Sequence, residues 1–211
     1  METKENKRVE IAAAAQTLFA EYGYRSVSIE QIAQHAHIGK GTFYLYYKSK
    51  EDVLEELLRE HLLQLHRMAK SIEAKGLPFL DEIHQIVYSA LMYRVNQKLL
   101  YKLSLEAREL QTPSAIRAGK WADRELEKYL QRRLERAMEE GILRPMNAQI
   151  LAFLIQQVYR ALAFQWEEEH EKLDEDQIAQ GVTAFLKEGL LLEKGKLGCM
   201  PVNKKANVLS E

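Results

Sequence analysis

Residues 28–50 read SIEQIAQHAHIGKGTFYLYYKSK, and this stretch alone predicts two short amphipathic helices separated by a tight turn. Ser28 stands at an N-cap position with Gln31 three residues on, the capping-box spacing in which each side chain satisfies the other's free backbone N–H. Ile29, Ile32, Ala33 and Ala36 follow as one apolar stripe. His37-Ile38-Gly39 makes the turn, and a second short helix then runs from Lys40 to Tyr47. Phe43 and Tyr47 lie four apart, so both can turn inward together. Lys40, Thr42, Tyr44, Leu45 and Tyr46 are left facing out.

That outward face is unusual for a surface helix, because it carries aromatic hydroxyls and almost no negative charge. Between Tyr24 and Lys50 the basic residues are Arg25, Lys40, Lys48 and Lys50, and Glu30 is the single acid. Gly41 lets the backbone come close to whatever it meets, while the hydroxyls and lysines have the reach and chemistry for phosphate oxygens and base edges. A helix-turn-helix presenting this face to the major groove of DNA is the expectation. The whole chain carries 30 Lys and Arg against 31 Asp and Glu, a formal net charge of -1. The salt-dependent attraction to DNA must therefore be local.

On these residues, and above all on the run GTFYLYYKSKED from Gly41 to Asp52, the sequence resembles the TetR family of bacterial transcriptional regulators. The likeness is strong over roughly the first quarter of the chain and architectural beyond it, so it implies DNA binding and leaves a ligand open. It implies base contacts from Lys40, Gly41, Thr42, Tyr44 and Leu45, and phosphate contacts from Ser28, Tyr46 and Lys50, with Lys48 adding to the basic surface. One departure is His37, where the family usually has Gly in the turn. That position tends to need a left-handed backbone, which His tolerates better than most residues, so some strain and retained binding are expected. Gly39 replaces a more usual Ser and is an acceptable N-cap.

With 211 residues and 46% hydrophobic content, the chain can bury a substantial core. The single cysteine, Cys199, excludes an internal disulfide and a thiolate metal cluster. No apolar run approaches the roughly 18 residues of a membrane span, and METKENKRVE lacks the apolar centre of a signal peptide, so a cytoplasmic protein without membrane association is expected. Lys4, Lys7 and Arg8 read as a basic, frayed arm before a first helix that carries Ile11, Ala15, Leu18, Phe19 and Tyr22 and stops at Gly23. Ser49, with Asp52 closing its capping box, opens a long fourth helix striped by Leu54, Leu57, Leu58, His61, Leu62, Leu65, Met68 and Ile72. This helix is the natural lever between the reading unit and the rest. His61 and His66 read as core or boundary residues rather than metal ligands.

Beyond Phe79 the pattern stays helical. Stripes at Ile83–Leu91 and Leu99–Leu110, a Thr112-Pro113 start, and breaks at Gly141 and Pro145 give an all-α chain of about nine helices. The expected organisation is a three-helix DNA-binding domain over 1–48, a helical ligand-binding and dimerisation domain over 49–192, and a flexible tail over 193–211. The last two helices, from Ala148 to about Glu169 and from Glu175 to about Leu192, are apolar over more than one stripe, as expected if one face packs inward and another meets a second copy. The resemblance implies that they pair in a four-helix interface, here through Leu151, Leu154, Ile155, Val158, Leu162, Ile178, Val182, Phe185 and Leu186. A two-fold dimer of this kind would place two reading helices roughly 34 Å apart on a near-palindromic double-stranded operator. The acidic run Glu167–Asp176 reads as a solvated surface.

Tyr88, Met92, Tyr93, Tyr101, Trp121, Phe153, Tyr159 and Phe164 could line an apolar pocket, although residues of this kind are more often plain core. The resemblance implies a small-molecule effector among these helices, of unidentified structure, whose binding releases DNA, and a repressor rather than an activator. Arg94 and Arg108 could meet an anionic ligand. No constellation of nucleophile, base and metal ligands rises above chance, so neither enzyme activity nor a cofactor or metal is expected. The alternatives are a DNA-binding protein governed by a protein partner, and a helical ligand-binding protein with no regulatory role. The outward face at Lys40–Tyr46 argues against the second.

Overall fold

The computed structural model describes residues 4–190, and among these every regular element is helical. The order is α1 (Lys4–Tyr22), α2 (Ile29–His35), α3 (Lys40–Phe43), α4 (Lys50–Glu73), α5 (Phe79–Asn96), α6 (Lys98–Glu109), α7 (Pro113–Glu139), α8 (Ala148–Arg160) and α9 (Glu175–Leu190). Between the last two lie a π turn (Ala161–Gln165) and a 3-10 turn (Trp166–Glu168). No helix among the described residues is long and apolar enough to cross a membrane.

Helix ends follow local chemistry. Gly23, Gly76 and Gly141 take positive φ just past α1, α4 and α7, the left-handed conformation that ends helices most cheaply when no Cβ is present. Ser28 caps α2 with both bonds of a capping box in place. Three caps differ from expectation. Asp52 accepts from the Lys48 N–H at 2.9 Å, one residue before the N-cap, while Ser49 accepts from Asp52 N at 3.2 Å. Thr112 stands at the N-cap of α7 with no side-chain capping bond, and its buried hydroxyl has no partner. Asp174 and Gln177 form an unanticipated capping box that starts α9.

The N-terminal arm is also corrected. α1 begins at Lys4, and Arg8 is tied to Glu56 of α4 through its Nε at 2.8 Å, with its guanidinium 4.7 Å from the centre of the Tyr47 ring. Lys7 pairs with Glu10 at 2.8 Å. The expected tail over 193–211, including Cys199, lies outside the described residues.

Two main cores organise the molecule. The first joins Ile11, Ala15 and Phe19 of α1, Ile32 of α2, Phe43 of α3 and Val53, Leu54, Leu57 and Leu58 of α4 to Leu99 and Leu103 of α6 and Ala115 and Ala118 of α7. Side chains from both sides of residue 48 thus pack in one cluster. The second joins Ile83 and Val87 of α5, Leu130 and Leu134 of α7, Leu151, Ile155 and Tyr159 of α8, and Ile178, Val182 and Leu186 of α9. At its rim Arg133 reaches Glu82 in two bonds, 2.6 and 3.3 Å, over the Phe79 ring. The two bonds offset the cost of burying either charge singly, while Arg133 Nη1 is buried without a partner.

Candidate nucleic-acid interface and bundle cavity

α3 is a four-residue helix whose position is fixed from below. Phe43 and Tyr47 are buried as expected, in edge and tilted contact with their aromatic neighbours. The Tyr47 hydroxyl donates to Glu56 at 2.8 Å, and burial, followed by that carboxylate, pushes its ionisation well above the ordinary tyrosine range. The turn before α3 is a Schellman arrangement: Ile38 N donates to Ala33 O at 2.9 Å and His37 N to Gln34 O at 3.1 Å. His37 sits at its left-handed position with φ 53°, as its place in the sequence suggested.

On this scaffold Lys40, Gly41, Tyr44, Leu45 and Lys48 are exposed, and Thr42 and Tyr46 are half-buried. Leu45, at 73% exposure, is apolar, fully presented and without a job in the chain's own core. A Cβ on Gly41 would meet nothing within 4 Å, so the backbone there is open to close approach. Lys40 forms an ion pair with Glu30, which raises the lysine pKa and lowers that of the carboxylate. Both groups are solvent-exposed, and such pairs contribute little and exchange readily for a phosphate. Ser28 offers its hydroxyl oxygen to Gln31 N and is exposed beside this surface.

Lys50 is placed differently from the expectation. Its ammonium donates to the carbonyls of Tyr24 and Val27, each at 2.9 Å, and to that of Arg25 at 3.5 Å, and it lies 4.4 Å from the centre of the Tyr24 ring. An ammonium has three donors, and all three are used in holding the loop between α1 and α2. The residue braces the reading unit from within.

Glu106 of α6 braces the same loop from the other side and was missed in the sequence. Its carboxylate is buried and accepts from Arg25 N at 3.2 Å with each oxygen. A Cβ on Gly23 would lie 2.4 Å from Glu106 Oε1 at a φ of 88°, so a side chain there would strain the backbone and push the carboxylate off Arg25 N. The available signal was a carboxylate continuing the buried 99–103 stripe at helical spacing.

Deeper in the bundle a cavity of about 100 Å³ lies between α4, α5, α6, α7 and α8. Its wall is aliphatic and small, with Leu62, Leu65, Leu91, Leu100 and Leu126 facing Ala115, Ala118, Gly119 and Ala122. Of the eight residues expected there, Trp121 lines it. Tyr93 stands behind the wall, donating to Gln64 and bonded at 2.7 Å to Nδ1 of His61, which does line the cavity. Because the tyrosine proton goes to Gln64, His61 donates from Nδ1. Burial holds its pKa below the ordinary value, so the ring is neutral at pH 7.

The other expected pocket residues are elsewhere. Tyr159 is buried in the second core with its hydroxyl 3.0 Å from Nδ1 of His84. Tyr88 stacks on that same His84, and Met92 and Phe164 pack against the second core. Tyr101 and Phe153 face outward. Arg94 lines the cavity and Arg108 does not.

The expected pairing residues divide in the same way. Leu151, Ile155, Ile178, Val182 and Leu186 point into the subunit's own second core and are unavailable to a partner. Leu154 and Phe185 are exposed, at 51% and 72%, and Val158 and Leu162 are half-buried. Ile150 and Phe153, not anticipated for this role, continue the outer stripe of α8.

A short, presented helix on a two-helix scaffold, buttressed by a helical bundle with a cavity of its own, defines a helix-turn-helix regulator that binds DNA. Over residues 11–57 the chain matches the family model described as bacterial regulatory proteins, tetR family. It is 27% identical over 180 residues to the HTH-type transcriptional regulator YhgD of Bacillus subtilis, covering 85% of this chain and 94% of that protein. It is 40% identical over 77 residues to the fatty acid metabolism regulator protein of the same organism, covering 36% and 40% of the two chains. The fold is shared with Thermus thermophilus FadR, a TetR family transcriptional repressor solved in complex with lauroyl-CoA. The TM-score is 0.61 at 23% identity, over 92% of this chain and 99% of that one.

Proposed function

We propose that the protein acts inside the cell as a homodimeric repressor that holds a near-palindromic operator and lets it go when a small, largely apolar effector enters the bundle. The observation that carries this reading is the surface of α3. Lys40, Gly41, Thr42, Tyr44 and Leu45 stand outward for bases, with Ser28, Tyr46 and Lys48 flanking them for phosphates, while Phe43 and Tyr47 anchor the helix beneath. Residues 1–48 form the reading unit and 49–192 the effector and pairing unit. The subunits meet through the outer stripe of Ile150, Phe153, Leu154, Val158, Leu162 and Phe185, an apolar face of the kind that pairs with a second copy.

Repression by effector release is supported by the likeness to a repressor solved with an acyl-coenzyme A. A cavity in the bundle favours a small effector over control by a protein partner. The signal path runs along α6: Leu100, Leu103 and Ser104 line the cavity, and Glu106 holds Arg25 N in the reading unit. A ligand that moves α6 changes the spacing of the two reading heads and shifts the population away from the DNA-bound form. No catalytic role is part of this reading.

The test is fluorescence anisotropy of the purified chain against a labelled fragment of its own upstream DNA and a scrambled fragment, at two salt concentrations. Preference for the native fragment, weakening steeply with salt, is expected. Equal, weak and salt-insensitive binding to both would overturn it.

A further inference from the structure

The cavity is not uniformly apolar. At one end Arg94 of α5 enters the wall beside Ser104, Gly119, Asp123 and Gln156. Its guanidinium donates to Ser104 Oγ at 3.2 Å and to Asp123 Oδ1 at 3.1 Å. Asp123 is also claimed by Arg160 of α8, whose Nη2 lies 3.2 Å from Oδ2. Two guanidinium groups therefore share one carboxylate, and the end of the cavity is left with one positive charge in excess. The other titratable groups in the wall do not cancel it. Glu125 is matched by Lys128 at 2.8 Å, His61 is tied to Tyr93, and His66 packs against the Tyr129 ring.

The close approach is built into α7. A Cβ on Gly119 would lie 3.2 Å from Arg94 Nη2, so the glycine leaves the guanidinium room against the helix backbone. An unbalanced cation at the edge of an apolar cavity lowers the energy of an anion placed there, and a planar guanidinium matches a carboxylate in two bonds.

We propose that the effector is an apolar chain ending in a free carboxylate, with the chain among Leu62, Leu65, Leu91 and Leu126 and the carboxylate on Arg94. This assignment rests on the effector-responsive reading above and names the ligand class of the same site. It also gives the ligand a handle on four helices, because Arg94 joins α5 to Ser104 of α6 and, through Asp123 of α7, to Arg160 of α8.

Binding is measured by isothermal titration calorimetry on the full chain without DNA, using octanoate, octanol and octanoyl-coenzyme A. A null result leaves DNA recognition standing, and a failed DNA experiment leaves this result standing. Octanoate is expected to bind at least about ten-fold more tightly than octanol, the scale of a hydrogen bond to a charged group. Arg94→Gln should bring octanoate to the octanol level and leave octanol unchanged. Asp123→Asn, which releases both guanidinium groups, should tighten octanoate, and the wild-type ratio of octanoate to octanol needs no variant at all. Equal affinities for octanoate and octanol, equal losses for both in Arg94→Gln, or no binding of either would overturn the proposal. So would octanoyl-coenzyme A binding more tightly than octanoate and indifferently to Arg94→Gln, which would put the head group outside the cavity.

Discussion

Two side chains in the reading unit do work that their neighbours in sequence do not suggest. His37 holds the left-handed position of a Schellman turn with φ 53°, where an L-residue with a Cβ costs about 1–2 kcal/mol and glycine is disfavoured only by about 0.5–1 kcal/mol of chain entropy. His37→Gly should therefore stabilise the protein by about 0.5–1 kcal/mol, seen as a rise in melting temperature with DNA affinity intact. A lower melting temperature would show that the imidazole makes a stabilising contact of its own. Lys50, by contrast, spends its three donors on the carbonyls of Tyr24, Arg25 and Val27. Lys50→Met should lower stability by about 1–2 kcal/mol in urea unfolding, and an unchanged midpoint with weakened DNA binding would return the residue to a phosphate-contact role. The resemblance implied a phosphate contact for Lys50, but a side chain four methylenes long can point either way, and only the position of the preceding loop decides which.

Among the helices, α8 and α9 show most clearly what sequence could and could not reveal. Their two apolar stripes were legible, and so was the suggestion that one faces inward and one outward. Which stripe does which was not, because both are built from Leu, Ile, Val and Phe, and the choice is made by α5 and α7 packing on one side. Val182 is 2% exposed and Phe185 72% exposed, three residues apart on one helix. Phe185→Glu should leave a folded helical monomer that binds DNA poorly, whereas Val182→Glu should disrupt the second core and lose helix signal. Light scattering and circular dichroism separate the two, and a Phe185→Glu protein that remained dimeric at low micromolar concentration would exclude this face as the contact. The cavity was misread for a related reason. Expectation followed the aromatic residues, which are large and went to the second core, as Tyr88, Tyr159 and Phe164 did, or to the surface, as Tyr101 and Phe153 did; the space instead exists where α7 carries Ala115, Ala118, Gly119 and Ala122. A pocket is where bulk is missing, and a row of small residues at helical spacing was its signature. The inward pair Phe43 and Tyr47 was the most legible feature of the reading unit, although the helix expected from Lys40 to Tyr47 ends at Phe43 and has no side-chain cap at Gly39.

For the molecule as a whole, stability is expected to depend on pH through its buried histidines. Burial depresses the pKa of both His61 and His84 below the ordinary 6.5. A group whose folded pKa is lowered binds fewer protons folded than unfolded just below that value, so its contribution is present above pH 6.5 and lost as pH falls toward the folded pKa. Glu56 and Glu73, held low by Arg8 with Tyr47 and by Lys70 with Tyr129 against the opposing effect of burial, act in the same sense below their ordinary 4.5. The melting temperature should thus begin to fall below about pH 6.5, and a flat profile from pH 7 to pH 5 would contradict the burial of the two rings as neutral groups.

The first core has one more effect. Because Phe19, Ile32 and Phe43 share it with Leu57, Leu99, Leu103 and Ala118, the part that reads DNA has no separate interior to fold around. Residues 1–57 expressed alone should be largely unstructured by circular dichroism, and the full chain should melt that region together with α6. Loss of operator binding on heating would then report the unravelling of the bundle itself, so that temperature, like an effector, speaks to DNA only through the helices behind the reading head.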